Sequence, residues 1–106
     1  VSMDDLVVIA MQITPNCISA YRNTRKQPAA RTRQVLCYIA SEMGYKDKDI
    51  AGKIGSDRAT VHVARHKVAE SFAYNDMAFK KLYNQFLKHL GRYPNGEMIK
   101  DYYNIL

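Results

Sequence analysis

Residues 50–68 of this 106-residue chain read IAGKIGSDRATVHVARHKV, and this stretch decides the fold that we predict. Ile50 and Ile54 are four residues apart and therefore share one face of a short helix. Gly55 follows directly, at a point where helices often end in a left-handed conformation that glycine adopts without strain. Asp57 can cap a second, longer helix through its carboxylate. The stretch therefore predicts two helices joined by a glycine turn.

The second helix of this pair combines an apolar face with a basic remainder. Val61, Ala64 and Val68 fall at i, i+3 and i+7, which puts them on one side. No acidic residue occurs between Arg58 and Ala69. Such a pair is typical of the helix-turn-helix motif, whose second helix normally lies in the major groove of DNA. Because helix pairs joined by glycine also occur in helical cores without a DNA role, the spacing alone leaves both interpretations open.

Composition and charge favour a nucleic-acid partner. Apolar residues make up 47% of the chain, which permits a core, and the length predicts a single domain over residues 1–106. The formal net charge is +6, which also suits a merely soluble basic protein. However, residues 6–41 contain no acid, whereas a solvated face normally mixes signs. The basic residues in that segment are Arg22, Arg25, Lys26, Arg31 and Arg33.

Cysteine usage and hydropathy predict a cytoplasmic protein without membrane contact. Cys17 and Cys37 are twenty residues apart and form no CxxC motif, so reduced thiols are the simpler interpretation. The sequence shows no signal segment and no run of eighteen apolar residues.

The rest of the chain predicts an all-α domain, because no segment alternates with period two over a useful length. The predicted helices cover residues 3–12, 14–21, 28–43, 46–54, 58–72, 76–90 and 97–103, with a basic loop at 23–27. In the second helix, Thr14 is the expected cap and Pro15 fits the first turn. The expected centre of the core is the apolar face formed by Val35, Leu36, Ile39, Ala40 and Met43.

Two blocks of the sequence resemble the C-terminal DNA-binding domain of the bacterial replication initiator DnaA, which has a Trp-repressor-like all-α fold. The first block, residues 30–43, is similar to the family's basic loop and long helix. The second block is the signature Ile50, Ala51, Ile54, Gly55, Asp57, Thr60, Val61, Ala64, Lys67 and Val68. The resemblance covers about residues 3–90 and leaves residues 91–106 as a C-terminal helical extension.

The resemblance implies a set of DNA contacts. Arg25 matches a loop arginine that enters the minor groove, whose negative potential attracts such a side chain. Arg33 and Gln34 match DNA-contacting residues at the start of the long helix, and Lys48 lies near a turn that approaches the DNA backbone. The complete predicted set is Arg25, Lys26, Arg31, Arg33, Gln34, Lys48, Asp57, Arg58, Ala59, Thr60 and His62.

The chain departs from the family at the start of the second helix of the pair. The family usually has His-Thr where this chain has Arg58-Ala59, and the turn around Ser56 is one residue shorter. Arg58 can read a guanine through O6 and N7, which contributes roughly 1–3 kcal/mol of discrimination. Ala59 can touch a thymine methyl group but cannot donate a hydrogen bond. These departures leave open whether the family's usual DNA box is recognised.

Catalytic, nucleotide-binding and metal-binding patterns are weak in this sequence. The phosphate-binding loop GxxxxGK[ST] of the initiator's ATPase motor is missing, so we expect no nucleotide and no cofactor. His62 and His66 are four apart and could share a metal, but no HExxH glutamate or cysteine pair accompanies them. We expect these histidines to face DNA or solvent. No Ser/His/Asp or paired-carboxylate arrangement predicts an enzyme.

Two functions follow as hypotheses. The first is sequence-specific binding of double-stranded DNA by a replication-associated or regulatory protein that lacks the ATPase motor. The second is a protein-interaction module that kept the fold and lost base readout. Its partner would bind the C-terminal helices, where the segment after residue 91 is rich in tyrosine.

Overall fold

Five α-helices account for most of residues 2–18 and 27–91, which are the residues that the computed structural model describes. They are α1 (Met3–Ile13), α2 (Gln27–Glu42), α3 (Asp47–Ile54), α4 (Arg58–Ala73) and α5 (Met77–Leu90). None of the described residues lies in a β-strand, so the all-α prediction is confirmed for this part of the chain. Among these helices, none has both the length and the apolar character that crossing a bilayer requires.

The central helix is α2, which packs against each of the other four helices. Val35, Leu36, Ile39 and Ala40 are fully buried on it, as their periodicity predicts, while Met43 is half-buried against the core. Because α2 is enclosed by its neighbours, its first turns hold a set position beside α4.

The helix pair α3–α4 has the predicted turn. Gly55 adopts φ 69° and ψ 39°, which is the left-handed conformation that ends α3. Asp57 caps α4, because its Oδ1 accepts a hydrogen bond of 2.7 Å from the backbone N–H of Thr60. The apolar residues that pack the two helices onto the core are Ile50, Ile54, Val61, Ala64 and Val68, all buried.

The short helix predicted after Thr14 is wrong over residues 14–18, which form turns and bends. Thr14 instead ends α1, with its backbone N–H bonded to the Ala10 carbonyl. Its hydroxyl lies 2.7 Å from the Thr32 hydroxyl on α2 and is not used as a helix cap. Asn16 has φ 64°, which a right-handed helix does not allow. The remainder of that predicted helix, at 19–21, lies outside the described residues.

Other boundaries differ less from the prediction. Gln27, which we assigned to the basic loop, begins α2, and residues 23–26 of that loop lie outside the described residues. Asp76 caps α5 by accepting a hydrogen bond of 3.0 Å from the backbone N–H of Ala78. The predicted helix at 97–103 also lies outside the described residues.

Candidate nucleic-acid interface

Two grooves meet at the start of α4. The first, here the α2 groove, runs between the first half of α2 and the first half of α4. The second, here the α3 groove, runs between α3 and the opposite side of α4. Both grooves include Ser56, Asp57 and Ala59, so the start of α4 forms the ridge that separates them.

The structure brings most of the predicted DNA-contacting residues to these grooves. Those that line the α2 groove are Arg33, Gln34, Asp57, Ala59 and Thr60. Those that line the α3 groove are Lys48, Asp57, Arg58, Ala59 and His62. Arg31 is half-exposed on α2 and lines neither groove, while Arg25 and Lys26 lie outside the described residues.

The ridge is exposed to solvent, and a helix cap and a buried side chain fix its position. Arg58, Ala59 and Thr60 are all exposed, whereas Val61 is completely buried and anchors the same turn. The hydrogen bond from the Thr60 backbone N–H holds the pKa of the Asp57 carboxyl below its ordinary value. Asp57 is therefore charged at neutral pH, and its charge lies at the positive end of the helix dipole. The negative charge of Asp57 therefore serves to cap α4.

Arg33 has a structural contact that the sequence did not predict. Its Nη1 donates a hydrogen bond of 2.8 Å to the Cys17 carbonyl oxygen. This bond ties the segment after α1 to the first half of α2. The guanidinium has five N–H donors, and the Cys17 carbonyl accepts from one of its nitrogens while the side chain lines the α2 groove.

An ion pair joins α3 to α4 beside the α3 groove. Arg65 Nε and Nη2 donate to the two carboxylate oxygens of Asp47 at 2.9 and 3.1 Å. These hydrogen bonds are the main reason why the pKa of Asp47 lies below its ordinary value. His62 Nδ1 lies 3.7 Å from Asp47 Oδ2 and 3.1 Å from Arg65 Nη2. We call these three residues the α3–α4 bracket.

The two histidines on α4 lie close together. The rings of His62 and His66 have centroids 4.3 Å apart. Within the described part of the chain, no group of three or more His, Cys, Asp or Glu side chains is arranged to hold a metal ion.

The charge around the two grooves is positive. The cationic residues of their walls are Arg33, Lys46, Lys48 and Arg58. The acidic residues of the same walls are Asp47 and Asp57, and each already accepts hydrogen bonds within the protein. The surface is basic, and the exposed first turn of a helix lies at its centre. Such a surface is complementary in charge and shape to a nucleic-acid duplex.

Several residues of this surface were missed by the sequence prediction. Ser56 lines both grooves, and Lys46 lines the α3 groove. Val63 lines the α2 groove and follows Ala59 by four residues, so helical spacing contained the signal that would have found it. The Asp47–Arg65 contact spans eighteen residues, and no local pattern announces it.

A comparison of the chain with protein-family models, with curated proteins and with solved structures finds no match.

Proposed function

We propose that this protein is a sequence-specific binder of double-stranded DNA in which α4 enters the major groove. The observation that carries the proposal is the exposed start of α4, from Arg58 to Thr60, between two grooves with cationic walls. A helix presented in this way matches the docking geometry of helix-turn-helix proteins. The resemblance to the DnaA C-terminal domain, with its Trp-repressor-like fold, points to the same activity.

The proposed mechanism separates positioning from readout. Lys46, Lys48 and Arg33 contact phosphates and set the register of α4 on the duplex. Arg58, Ala59 and Thr60 then reach base edges, with Arg58 as the reader of a guanine. The resemblance adds Arg25 as the residue that enters the minor groove and Lys26 as a further DNA contact, and both lie outside the described residues. About four to six phosphate contacts give a log–log salt slope of similar size.

The proposed biological role is accessory or regulatory and belongs to DNA replication in the cytoplasm. The sequence lacks the phosphate-binding loop of the initiator's motor, so the role requires neither nucleotide nor cofactor. The protein acts by occupying its site on DNA and not as an enzyme.

A salt titration of duplex binding tests this function. Fluorescence anisotropy with a duplex selected from a random pool measures the affinity of the wild type and of three variants. We expect Arg58→Ala to weaken specific binding about tenfold or more and Lys48→Ala to reduce the salt slope by about one. Lys81→Ala on α5 is the matched control, because it removes one exposed positive charge away from both grooves.

Two results would overturn the proposal. One is the absence of saturable binding to any duplex at low salt. The other is an equal loss of affinity in Arg58→Ala and Lys81→Ala, because such a loss reports net charge and not a defined surface.

A second candidate function has its own observation. Tyr74 and Met77, at the turn between α4 and α5, are 84% and 62% exposed. Exposed aromatic and methionine side chains are common in protein interfaces. A protein-interaction module is supported if no duplex binds at low salt while a partner protein co-purifies with the chain.

A further inference from the structure

One apolar side chain is exposed in the middle of the charged surface. Val63 on α4 is 64% exposed and lines the α2 groove. Ala59 is exposed one turn earlier on the same side of the helix and lines the same groove. We call these two residues the apolar strip.

Folding does not explain Val63, the larger residue of the apolar strip. The core side of α4 is formed by Val61, Ala64 and Val68, which are buried. Val63 points away from them, and a β-branched residue is a weaker helix former than alanine or lysine. A valine that is 64% exposed at this position therefore gains little from burial within the chain and favours the helix less than alanine or lysine would.

Polar side chains border the apolar strip on both sides. His62 and His66 form a close pair on one side, while Thr60 and Lys67 lie on the other, and all four are exposed. The strip is thus about one side chain wide. Large apolar patches are typical of protein interfaces, and a strip this narrow among polar side chains is not one.

On the basis of the DNA-binding function proposed above, we infer that Ala59 and Val63 read the 5-methyl groups of thymines. The thymine methyl is the apolar feature of the major groove, and apolar side chains recognise it by contact. Cationic side chains at the groove walls, such as Lys46 and Lys48, match the charge of the flanking phosphates.

Helix geometry sets the spacing of the two thymines. Residues four apart on a helix are separated by about 6 Å along its axis. Base pairs rise by about 3.4 Å, so contacts from Ala59 and Val63 fall within two base-pair steps of each other. Val63 has few rotamers to lose on binding, which favours a defined contact. The target site therefore contains two thymines at this separation.

Replacement of thymine by deoxyuridine tests the inference, because it removes the methyl group and keeps base pairing and charge. The probe is a duplex selected from a random pool, with and without uracil at each thymine, and anisotropy gives Kd at fixed salt. We expect wild-type binding to weaken about fourfold for each contacted methyl. Val63→Asn, which replaces the two methyl groups by a polar amide of similar size, should lose most of the uracil effect at one position.

Val8→Asn is the matched control, since Val8 is a 43% exposed valine on α1 and lines neither groove. It should keep the full uracil effect. Equal affinity of the wild type for the thymine and uracil duplexes would overturn the inference and leave DNA binding intact. A uracil effect that Val63→Asn retains would overturn the assignment to Val63. Failure to bind either duplex at low salt would overturn the proposed function and this inference together.

Discussion

Arg58 is the residue on which base readout depends most in this account. It is exposed, it follows the capping residue Asp57 directly, and it lines the α3 groove. A guanidinium can donate two parallel hydrogen bonds to the O6 and N7 atoms of guanine, whereas an ammonium group is a single point donor. The identity of this one side chain should therefore be visible in the sequence of the bound DNA.

Arg58→Lys should preserve the charge and lose the readout. We expect selection from a random duplex pool to return a consensus with a guanine at one defined position for the wild type. The variant should bind with a similar salt slope but without that guanine, at a cost of roughly 1–3 kcal/mol on the wild-type site. A variant consensus that keeps the guanine would contradict the bidentate contact.

Thr32 is a buried polar residue that links α2 to the end of α1. Its hydroxyl donates to the Pro28 carbonyl oxygen at 2.8 Å and lies 2.7 Å from the Thr14 hydroxyl. Thr32→Val keeps the shape but leaves the half-buried Thr14 hydroxyl without this partner. We expect a loss of about 1–2 kcal/mol in the free energy of unfolding, measured by urea denaturation.

The control for this prediction is the double variant Thr14→Val/Thr32→Val. Because one substitution already removes the shared contact, its loss should be smaller than the sum of the two single losses. Strictly additive losses would mean that the two hydroxyls do not interact in solution.

At the scale of elements, the turn between α3 and α4 decides how the grooves form. Gly55 has a positive φ of 69°, and no atom lies within 4 Å of a Cβ placed there. Gly52 has the same free space but lies inside α3. An added Cβ meets no steric conflict at either glycine. A difference between the two alanine variants therefore reports the backbone conformation alone.

The same substitution should have opposite effects at these two glycines. Gly55→Ala should lower the free energy of unfolding by about 1 kcal/mol, because alanine is strained in the left-handed conformation. Gly52→Ala should raise it by about 0.5–1 kcal/mol, because alanine favours a helix interior. Thermal unfolding of both variants measures the difference. Effects of the same sign would show that the α3–α4 turn is built differently.

The α3–α4 bracket should make the free energy of unfolding depend on pH. The side chains of Asp47 and Arg65 are 24% and 29% exposed, and their contact is bidentate, so it should contribute about 0.5–1 kcal/mol. The pKa of Asp47 is lowered in the folded state. Its contribution is therefore present above the unfolded pKa of about 3.9 and is lost as the pH falls through the folded pKa.

Asp47→Asn should accordingly destabilise the protein at pH 7 and converge with the wild type in acid. Urea denaturation at a series of pH values measures this convergence. Asp4→Asn is the control, since the Asp4–Lys53 pair is 2.9 Å long but has side chains 75% and 49% exposed. We expect almost no change from the control. A gap between Asp47→Asn and the wild type that persists well below the lowered pKa would contradict the role of the carboxylate.

Helices and turns could be predicted where residues close together in the sequence determine them. Apolar spacing and the neighbouring glycine and aspartate define α3, its turn and the start of α4, because each residue acts within a few positions along the chain. The helix expected after Thr14 failed for the opposite reason. The partner of Thr14 is Thr32, eighteen residues away, and helix-cap rules contain no information about it. The contact between Arg33 and the Cys17 carbonyl is likewise distant in sequence.

The candidate site follows the same division. Arg58, Ala59 and Thr60 were predicted as contact residues from the resemblance, and the structure exposes all three at the start of α4. The bracket between Asp47 and Arg65 was missed because it forms only when two helices pack. Arg31 belonged to the predicted set by its place in the basic stretch, but its direction on α2 takes it away from both grooves.

At the scale of the whole molecule, the proposed function assigns DNA binding to one end of α4. The described surface has two ends with different character: the charged start of α4 and the exposed Tyr74 and Met77 beyond its end. Because α4 has 16 residues, these ends are about 24 Å apart. A DNA-binding protein of the proposed kind uses the first end, and a protein-interaction module has the second available.

The most direct measurement is a titration of the isotopically labelled protein with a short duplex, followed by backbone amide chemical shifts in NMR. We expect the largest chemical-shift changes around the two grooves, at the amides of Gln34, Ser56, Ala59 and Val63. Saturable changes centred on Tyr74, with the start of α4 unaffected, would contradict this expectation.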